Sequence, residues 1–318
     1  MIVNQVKRRG VWQYAPTIII FFLLSACTQK ICDVGDISIT DKDISLRKKA
    51  SEVYYPNSGK DYIALSQLIN GYLSEEMLKS LGHKIDDTIL EAEAKRIDEN
   101  TKAPETLKKI KDIYGRNRGA YIKTFVRIVY AERVLYNEIF IKSKEIHKEE
   151  YQKAEEILNK AIKSQKLFKD IAKEKGLKTI RLKVSKEGGI APYEEEAKPK
   201  LNTAGIGVEQ AERLINAVST IKKGDVCPEI IEWLEGYQII RYIKKENNPP
   251  SPPFSKGGKG GLENNEGYYI IDSVSIPKKD YDDWFWERAS KIPVRVYDEK
   301  LKGELLKEVS WAGKLKLI

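Results

Sequence analysis

Val34-Gly35-Asp36-Ile37-Ser38-Ile39-Thr40, followed by Asp41-Lys42-Asp43-Ile44, sets the start of the folded chain and its class. Polar and apolar residues alternate around Gly35-Asp36, the pattern of a short strand or hairpin. Thr40 or Asp41 then offers a side-chain oxygen to cap a helix starting near Lys42. Beyond Asp61 the hydrophobic period becomes helical. Leu65, Leu68, Ile69, Tyr72, Leu73 and Met77 form one apolar face that ends at Gly82. Asp86 is placed to cap the next helix, with Ile85 and Leu90 as its hydrophobic staple. Pro104 opens a third helix that ends near Gly115, with Leu107, Ile110 and Tyr114 inward. A long fourth helix follows from Gly119 into the Lys142–Lys148 region. Tyr121, Phe125, Ile128, Leu135 and Ile139 share one side of it, and Ile122, Val126 and Val129 the adjoining one. A stripe that wide implies burial against more than one neighbour. Residues 34–142 therefore read as a compact helical domain with a small strand at its start.

The middle of the chain has a different grammar. Ala154, Ile157, Leu158, Ala161 and Ile162 make an amphipathic helix, and Phe168, Ile171 and Ala172 a second. Thr179 to Ser185 alternates strictly, with Ile180, Leu182 and Val184 on one face of a half-buried strand. A helix over roughly Val208–Thr220 and a strand over Tyr237–Ile243 complete a small α+β domain. Asn247 to Asn265 carries too much Pro and Gly and too little apolar surface to pack, and reads as a disordered surface insertion. Order returns with a strand at Tyr268–Ile276, an aromatic helix at Asp280–Ser290, a strand at Pro293–Tyr297 and a helix at Glu299–Val309. The fold class expected is mainly α with α+β.

At the other end, Lys7, Arg8 and Arg9 precede an apolar run from Ile18 to Leu24 and then Ser25-Ala26-Cys27. A basic head, a short apolar core and small residues describe a secretory signal peptide. The run is well short of the ~20 residues that span a bilayer. The formal net charge is +9, but three basic and no acidic residues lie within 1–26, so the mature chain is near +6. That is a mildly basic, well-solvated surface. It could attract anionic lipid headgroups, but no Lys/Arg block points to nucleic acid. Once Cys27 is set aside, Cys32 and Cys227 remain, without a spacing signature that would establish a bridge. His83 and His147 alone could assist a zinc site, and His147 sits in a charged helical stretch that reads as a solvated surface. No phosphate loop, metal spacing or nucleophile–base signature is present, so no metal, cofactor or catalytic residue is expected.

Leu24-Ser25-Ala26-Cys27 resembles the bacterial lipobox, which implies acylation at Cys27 after removal of residues 1–26 and a membrane tether through the N-terminal lipid. Thr28 is not the Asp that resembles an inner-membrane retention signal. That favours the outer membrane of a two-membrane cell, with the protein facing the periplasm. Few residues separate Cys27 from the first strand, so the helical domain is expected close to the membrane surface.

Val34–Ile44, Ala64-Leu65-Ser66-Gln67-Leu68-Ile69 with Tyr72-Leu73, and Leu81-Gly82-His83-Lys84-Ile85-Asp86-Asp87 resemble the N-terminal domain of SurA- and PrsA-type periplasmic chaperones. Ala154–Leu158, Phe168–Lys173, Ile221–Pro228 and Gly236-Tyr237-Gln238-Ile239-Ile240 resemble the second half of a parvulin-type peptidyl-prolyl isomerase. Gly188-Gly189 echoes a family loop, although a Gly-Gly pair also marks an ordinary turn. Gln238 stands where active parvulins carry a histidine in Gly-Tyr-His-Ile-Ile, and their His-bearing first strand is missing here. The resemblance implies residues 27–145 as a SurA-like helical domain and 146–246 as a degenerate parvulin-like domain. The insertion at 247–266 and a tail at 267–318 that packs on the N-terminal domain complete this division. Trp284, Phe285 and Trp286 are the expected client contacts, with Trp284 and Phe285 also suited to the core and Trp286 to the surface. The implied function is an ATP-independent envelope chaperone for unfolded or nascent exported proteins. The alternatives are an active parvulin-type isomerase and a structural or assembly lipoprotein with one dedicated partner.

Overall fold

A computed structural model describes residues 28–56, 58–163, 168–185, 189–193, 208–246 and 267–318. Residues 1–27, Gly188 and the Pro/Gly-rich stretch 247–266 lie outside the described residues. The chain is mixed α+β with two small antiparallel sheets. It divides into two compact units, residues 1–138 with 282–318, and residues 139–281.

In the first unit, β1 (Lys30–Val34) and β2 (Ile37–Thr40) form a hairpin whose two-residue turn is Gly35-Asp36. Gly35 has φ +54°, a conformation that a side chain at this turn would strain. Thr40 ends β2 and caps α1 (Asp41–Tyr54): the Asp43 amide donates to its Oγ1, and its own amide donates to Asp43 Oδ2 at 2.9 Å. α2 (Asp61–Ser80) is the central element, with Leu65, Leu68, Ile69, Tyr72, Leu73 and Met77 all buried. α3 (Asp87–Asn100) is capped by Asp86, which accepts from the Ile89 amide, and α4 (Pro104–Tyr114) starts on its proline.

The long helix α5 covers residues 118–140 but is not uniform. Arg118–Tyr121 and Arg127–Arg133 are α-helical, whereas Ile122–Val126 and Val134–Phe140 are π turns. Each π turn shifts the inward face by about one residue. That lets Tyr121, Phe125, Val126, Ile128, Val134 and Leu135 all be buried along a stripe broader than one α face. Its cations also neutralise three buried carboxylates: Lys123 meets Asp43 of α1 at 2.6 Å, Arg127 meets Glu75 of α2 at 3.1 Å, and Arg133 meets Glu93 of α3 at 3.1 Å. Unpaired, each buried carboxylate would cost several kcal/mol (roughly 3–5).

The tail closes this unit. β8 (Val294–Val296) pairs antiparallel with β1, and the Ile318 amide donates to the Val294 carbonyl at 2.9 Å. α9 (Tyr281–Ala289) enters the unit at Asp282, and α10 (Glu299–Glu308), capped by Asp298, packs on α2.

The second unit is a five-stranded antiparallel sheet in the order β4-β3-β7-β6-β5. Its strands are β3 (Thr179–Ser185), β4 (Gly189–Pro192), β5 (Ile231–Glu232), β6 (Gly236–Glu246) and β7 (Tyr268–Pro277). Helices α6 (Lys148–Lys163) and α7 (Phe168–Glu174) cover one face against Tyr237, Ile239, Val274 and Ile276. α8 (Val208–Ser219) covers the other against Val184, Ile240 and Ile271. Ile239 and Ile240 thus serve opposite cores, as the two-residue period of a strand requires.

Three expectations are corrected. The tail expected from residue 267 begins at 282, because β7 pairs with β6 from Gly236↔Pro277 to Glu246↔Tyr268 and with β3 on its other edge. The Pro/Gly-rich stretch looked like a boundary but joins two hydrogen-bonded neighbours in one sheet. The first unit also ends at 138, not 145, since residues 139–147 belong with the sheet domain. His147, expected on a solvated surface, is 1% exposed.

Candidate functional site

Within the first unit, α1, α2 and α5 leave an open cleft of about 250 Å³ lined by Arg47, Ala50, Ser51, Tyr54, Tyr55, Gln67, Phe125 and Val129. Its rim is aromatic. Tyr54 is 48% and Tyr55 69% exposed, unusual for large rings at the end of a helix. Its floor is polar and ordered by one acceptor: Gln67 Oε1 takes the Arg47 Nε–H at 2.8 Å and lies 2.6 Å from the Ser51 hydroxyl. The Arg47 guanidinium also lies 6.0 Å from the centre of the Phe125 ring, and burial pushes its pKa down. A larger cleft in the same unit, about 540 Å³, is lined by Asp41, Lys48, Lys49, Glu52, Asp61 and Asp298. That charge-rich lining suits water better than an apolar segment.

The aromatic helix α9 separates its three rings by depth. Trp284 and Phe285 are buried in the core of the first unit, at 1% and 5% exposure, so neither is available as a client contact. The reason is periodicity: both sit on the inward side of α9, as does Ala289. Trp286 is half-buried and stacks on Trp311, with centroids 5.0 Å apart and planes 18° apart. Lys314 lies 5.9 Å from the centre of the same indole. Trp311 follows α10 outside any regular element, so neither helical nor strand periodicity flags it.

Gln238 sits on β6 and is nearly buried, and its Oε1 accepts from the Ser273 hydroxyl of β7 at 2.9 Å. No strand precedes α6 in this unit; Gln238 lies between β5, opposite Ile231, and β7, opposite Ser275. No histidine joins the pair. His147 donates from Nε2 to the Phe140 carbonyl at 2.8 Å and accepts the Lys279 amide at Nδ1 at 3.3 Å, so both ring nitrogens are engaged. The buried thiols of Cys32 and Cys227 are free, and burial pushes Cys32 up to about 12, which leaves it a thiol and a poor nucleophile. Among the described residues no cluster of His, Cys, Asp or Glu is arranged to hold a metal ion. Nor is any helix among them long and apolar enough to cross a membrane.

Gln238 belongs to the second unit and Trp284–Trp286 to the first, and Cys27 lies outside the described residues. Arg47, Tyr54, Tyr55 and Gln67 were not singled out from sequence. The one available signal was Tyr54-Tyr55, adjacent large rings at the end of a charged helix. No protein-family model and no curated protein matches the chain.

Proposed function

We propose that this chain is a membrane-anchored, ATP-independent chaperone of the cell envelope that holds unfolded exported polypeptides by apolar contact. The observation that carries this reading is the open aromatic cleft of Tyr54, Tyr55, Phe125 and Val129. Concave aromatic surfaces suit chains that expose such side chains before folding. The lipobox-like Leu24–Cys27 supports the anchor. The resemblance of residues 34–142 to SurA- and PrsA-type chaperones supports the client class. In this reading the first unit is the SurA-like domain with its returning tail, and the second is a parvulin-like domain without the histidines of an isomerase. The Gln238–Ser273 pair gives no support to the isomerase alternative, since a neutral amide stands where the resemblance puts one imidazole and its oxygen is already taken by a hydroxyl.

The test is aggregation of a denatured, proline-poor client in the presence of the purified protein and no nucleotide. Suppression is expected at near-stoichiometric amounts, weakened by Tyr55→Ala with the fold intact by circular dichroism. No suppression at stoichiometric excess overturns the reading. Recovery of one stoichiometric partner from envelope extracts, in place of many unfolded clients, favours the assembly-factor alternative.

A further inference from the structure

We infer that the cleft between α1, α2 and α5 captures the C-terminal residue of an unfolded polypeptide, taking its carboxylate on Arg47 and Gln67 and its apolar side chain between Tyr54, Tyr55 and Phe125. This rests on the chaperone reading and names which part of the client the cleft takes.

The argument starts from the donor balance on the floor. Arginine can only donate. Its Nε–H is committed to Gln67 Oε1 at 2.8 Å, while Nη1 lies 3.5 Å from the Thr124 carbonyl, at the outer limit of a hydrogen bond. Nη2 has no acceptor among the described residues. The same bond orients Gln67: with Oε1 turned to Arg47 and Ser51, its NH₂ group is left on the opposite side, also without an acceptor among the described residues. The Ser51 proton goes to Gln67 Oε1 at 2.6 Å or to the Arg47 carbonyl at 2.9 Å. The floor thus presents donors around a guanidinium that forms no ion pair among the described residues. Glu132 bears on it electrostatically without forming an ion pair with it. Such a floor is complementary to an anion with two acceptor oxygens, which a carboxylate supplies in the bidentate geometry that arginine favours.

Size and walls narrow the ligand further. About 250 Å³ holds roughly one large side chain with its backbone, not a stretch of peptide. Ala50, Phe125 and Val129 are apolar, and the rings of Tyr54 and Tyr55 close the rim. A carboxylate and an apolar side chain must therefore enter together. In a polypeptide those two groups share one Cα only at the C-terminus. An internal Asp or Glu brings the carboxylate but spends its own side chain on it.

The test compares three fluorescently labelled peptides of one sequence, with the full-length protein in detergent micelles. The first ends in Leu-Phe with a free carboxylate, the second in Leu-Phe-amide, and the third is the amide with an internal Glu added. The free acid is expected to bind at least about tenfold more tightly than either amide. Arg47→Met should remove that difference, and Arg47→Lys should reduce it by keeping the charge but losing the fork. Tyr55→Ala should weaken all three peptides alike. Equal binding of acid and amide by the unaltered protein, which needs no variant to fold, overturns the inference. Equal binding of the internal-Glu peptide overturns it too. If acid and amide bind equally while client aggregation is still suppressed, the terminal-residue inference falls and the chaperone reading stands. If none of the three peptides binds, the inference falls, and if aggregation also proceeds the chaperone reading falls with it.

Discussion

The Ser273 hydroxyl of β7 donates to the Gln238 amide oxygen of β6 at 2.9 Å, inside the sheet of the second unit. This neutral pair occupies the neighbourhood where sequence resemblance would put an imidazole. A twisted prolyl amide needs placed donors and a pocket, and here the hydroxyl proton is already committed. Gln238→Ala should cost about 1–2 kcal/mol of stability by leaving the buried Ser273 hydroxyl unpaired. It should leave the rate of a proline-limited refolding reaction unchanged. Acceleration by the unaltered protein that disappears in the variant would instead establish a working isomerase.

His147 predicts a pH dependence for the same unit. Burial pushes its imidazole below the usual value; the Phe140 carbonyl opposes this and Lys278 reinforces it, with Glu150 and Glu232 pulling the other way. Protonation at Nδ1 would also abolish the bond from the Lys279 amide. Because the folded value is depressed, the unfolded chain takes the proton first. The stabilisation is complete above about pH 6.5 and is lost as pH falls from there toward the folded value. The denaturant midpoint should therefore fall between about pH 7.5 and about pH 5, and His147→Gln should flatten that dependence.

Gly71 and Ile128 test the packing of α2 on α5. A Cβ added at Gly71 would lie 2.5 Å from Ile128 Cγ2 and 2.8 Å from its Cβ. The Ile128 atoms nearest the backbone cannot swing away. In an exposed helix Gly→Ala would stabilise by about 1 kcal/mol. Here Gly71→Ala should instead destabilise by about 1–3 kcal/mol. Adding Ile128→Ala should leave a double variant more stable than the sum of the single losses, measured by urea unfolding.

Glu93 is buried on α3, where loss of hydration alone would raise its carboxyl pKa. Hydrogen bonds from Arg96 and Arg133 outweigh that and hold it below the usual range. The stabilisation is present above about pH 4.3 and is lost as pH falls through the lower folded value. Arg133→Ala should cost about 1–3 kcal/mol at neutral pH and shrink the acid-side slope. An unchanged slope in denaturant titrations at several pH values would refute the pairing.

The elements set by local chemistry are legible in the sequence alone. Thr40, Asp86 and Pro104 mark helix starts because a cap or a fixed φ acts within a few residues. The apolar face of α2 is legible because its residues recur at helical spacing, and all six that carry it are buried. Of the candidate site, Phe125 was visible as part of a stripe, and the division of labour along α9 followed from its period. Arg47 was not visible. Its role depends on Gln67, which lies on the next helix, and no local pattern says that one amide will fix one guanidinium.

By itself the sequence determined most of the helices and the longer strands, and which of their faces are apolar. Those properties depend on neighbours one to four residues apart. Only the tertiary structure decided that β7 belongs between β3 and β6, that His147 is buried against Phe140 and Lys279, and that a donor-rich floor lies beneath Tyr54 and Tyr55. Each of these is a pairing between groups distant in sequence. Such pairings are fixed by which buried donors and apolar faces find partners when the whole unit closes, a condition that no single segment states.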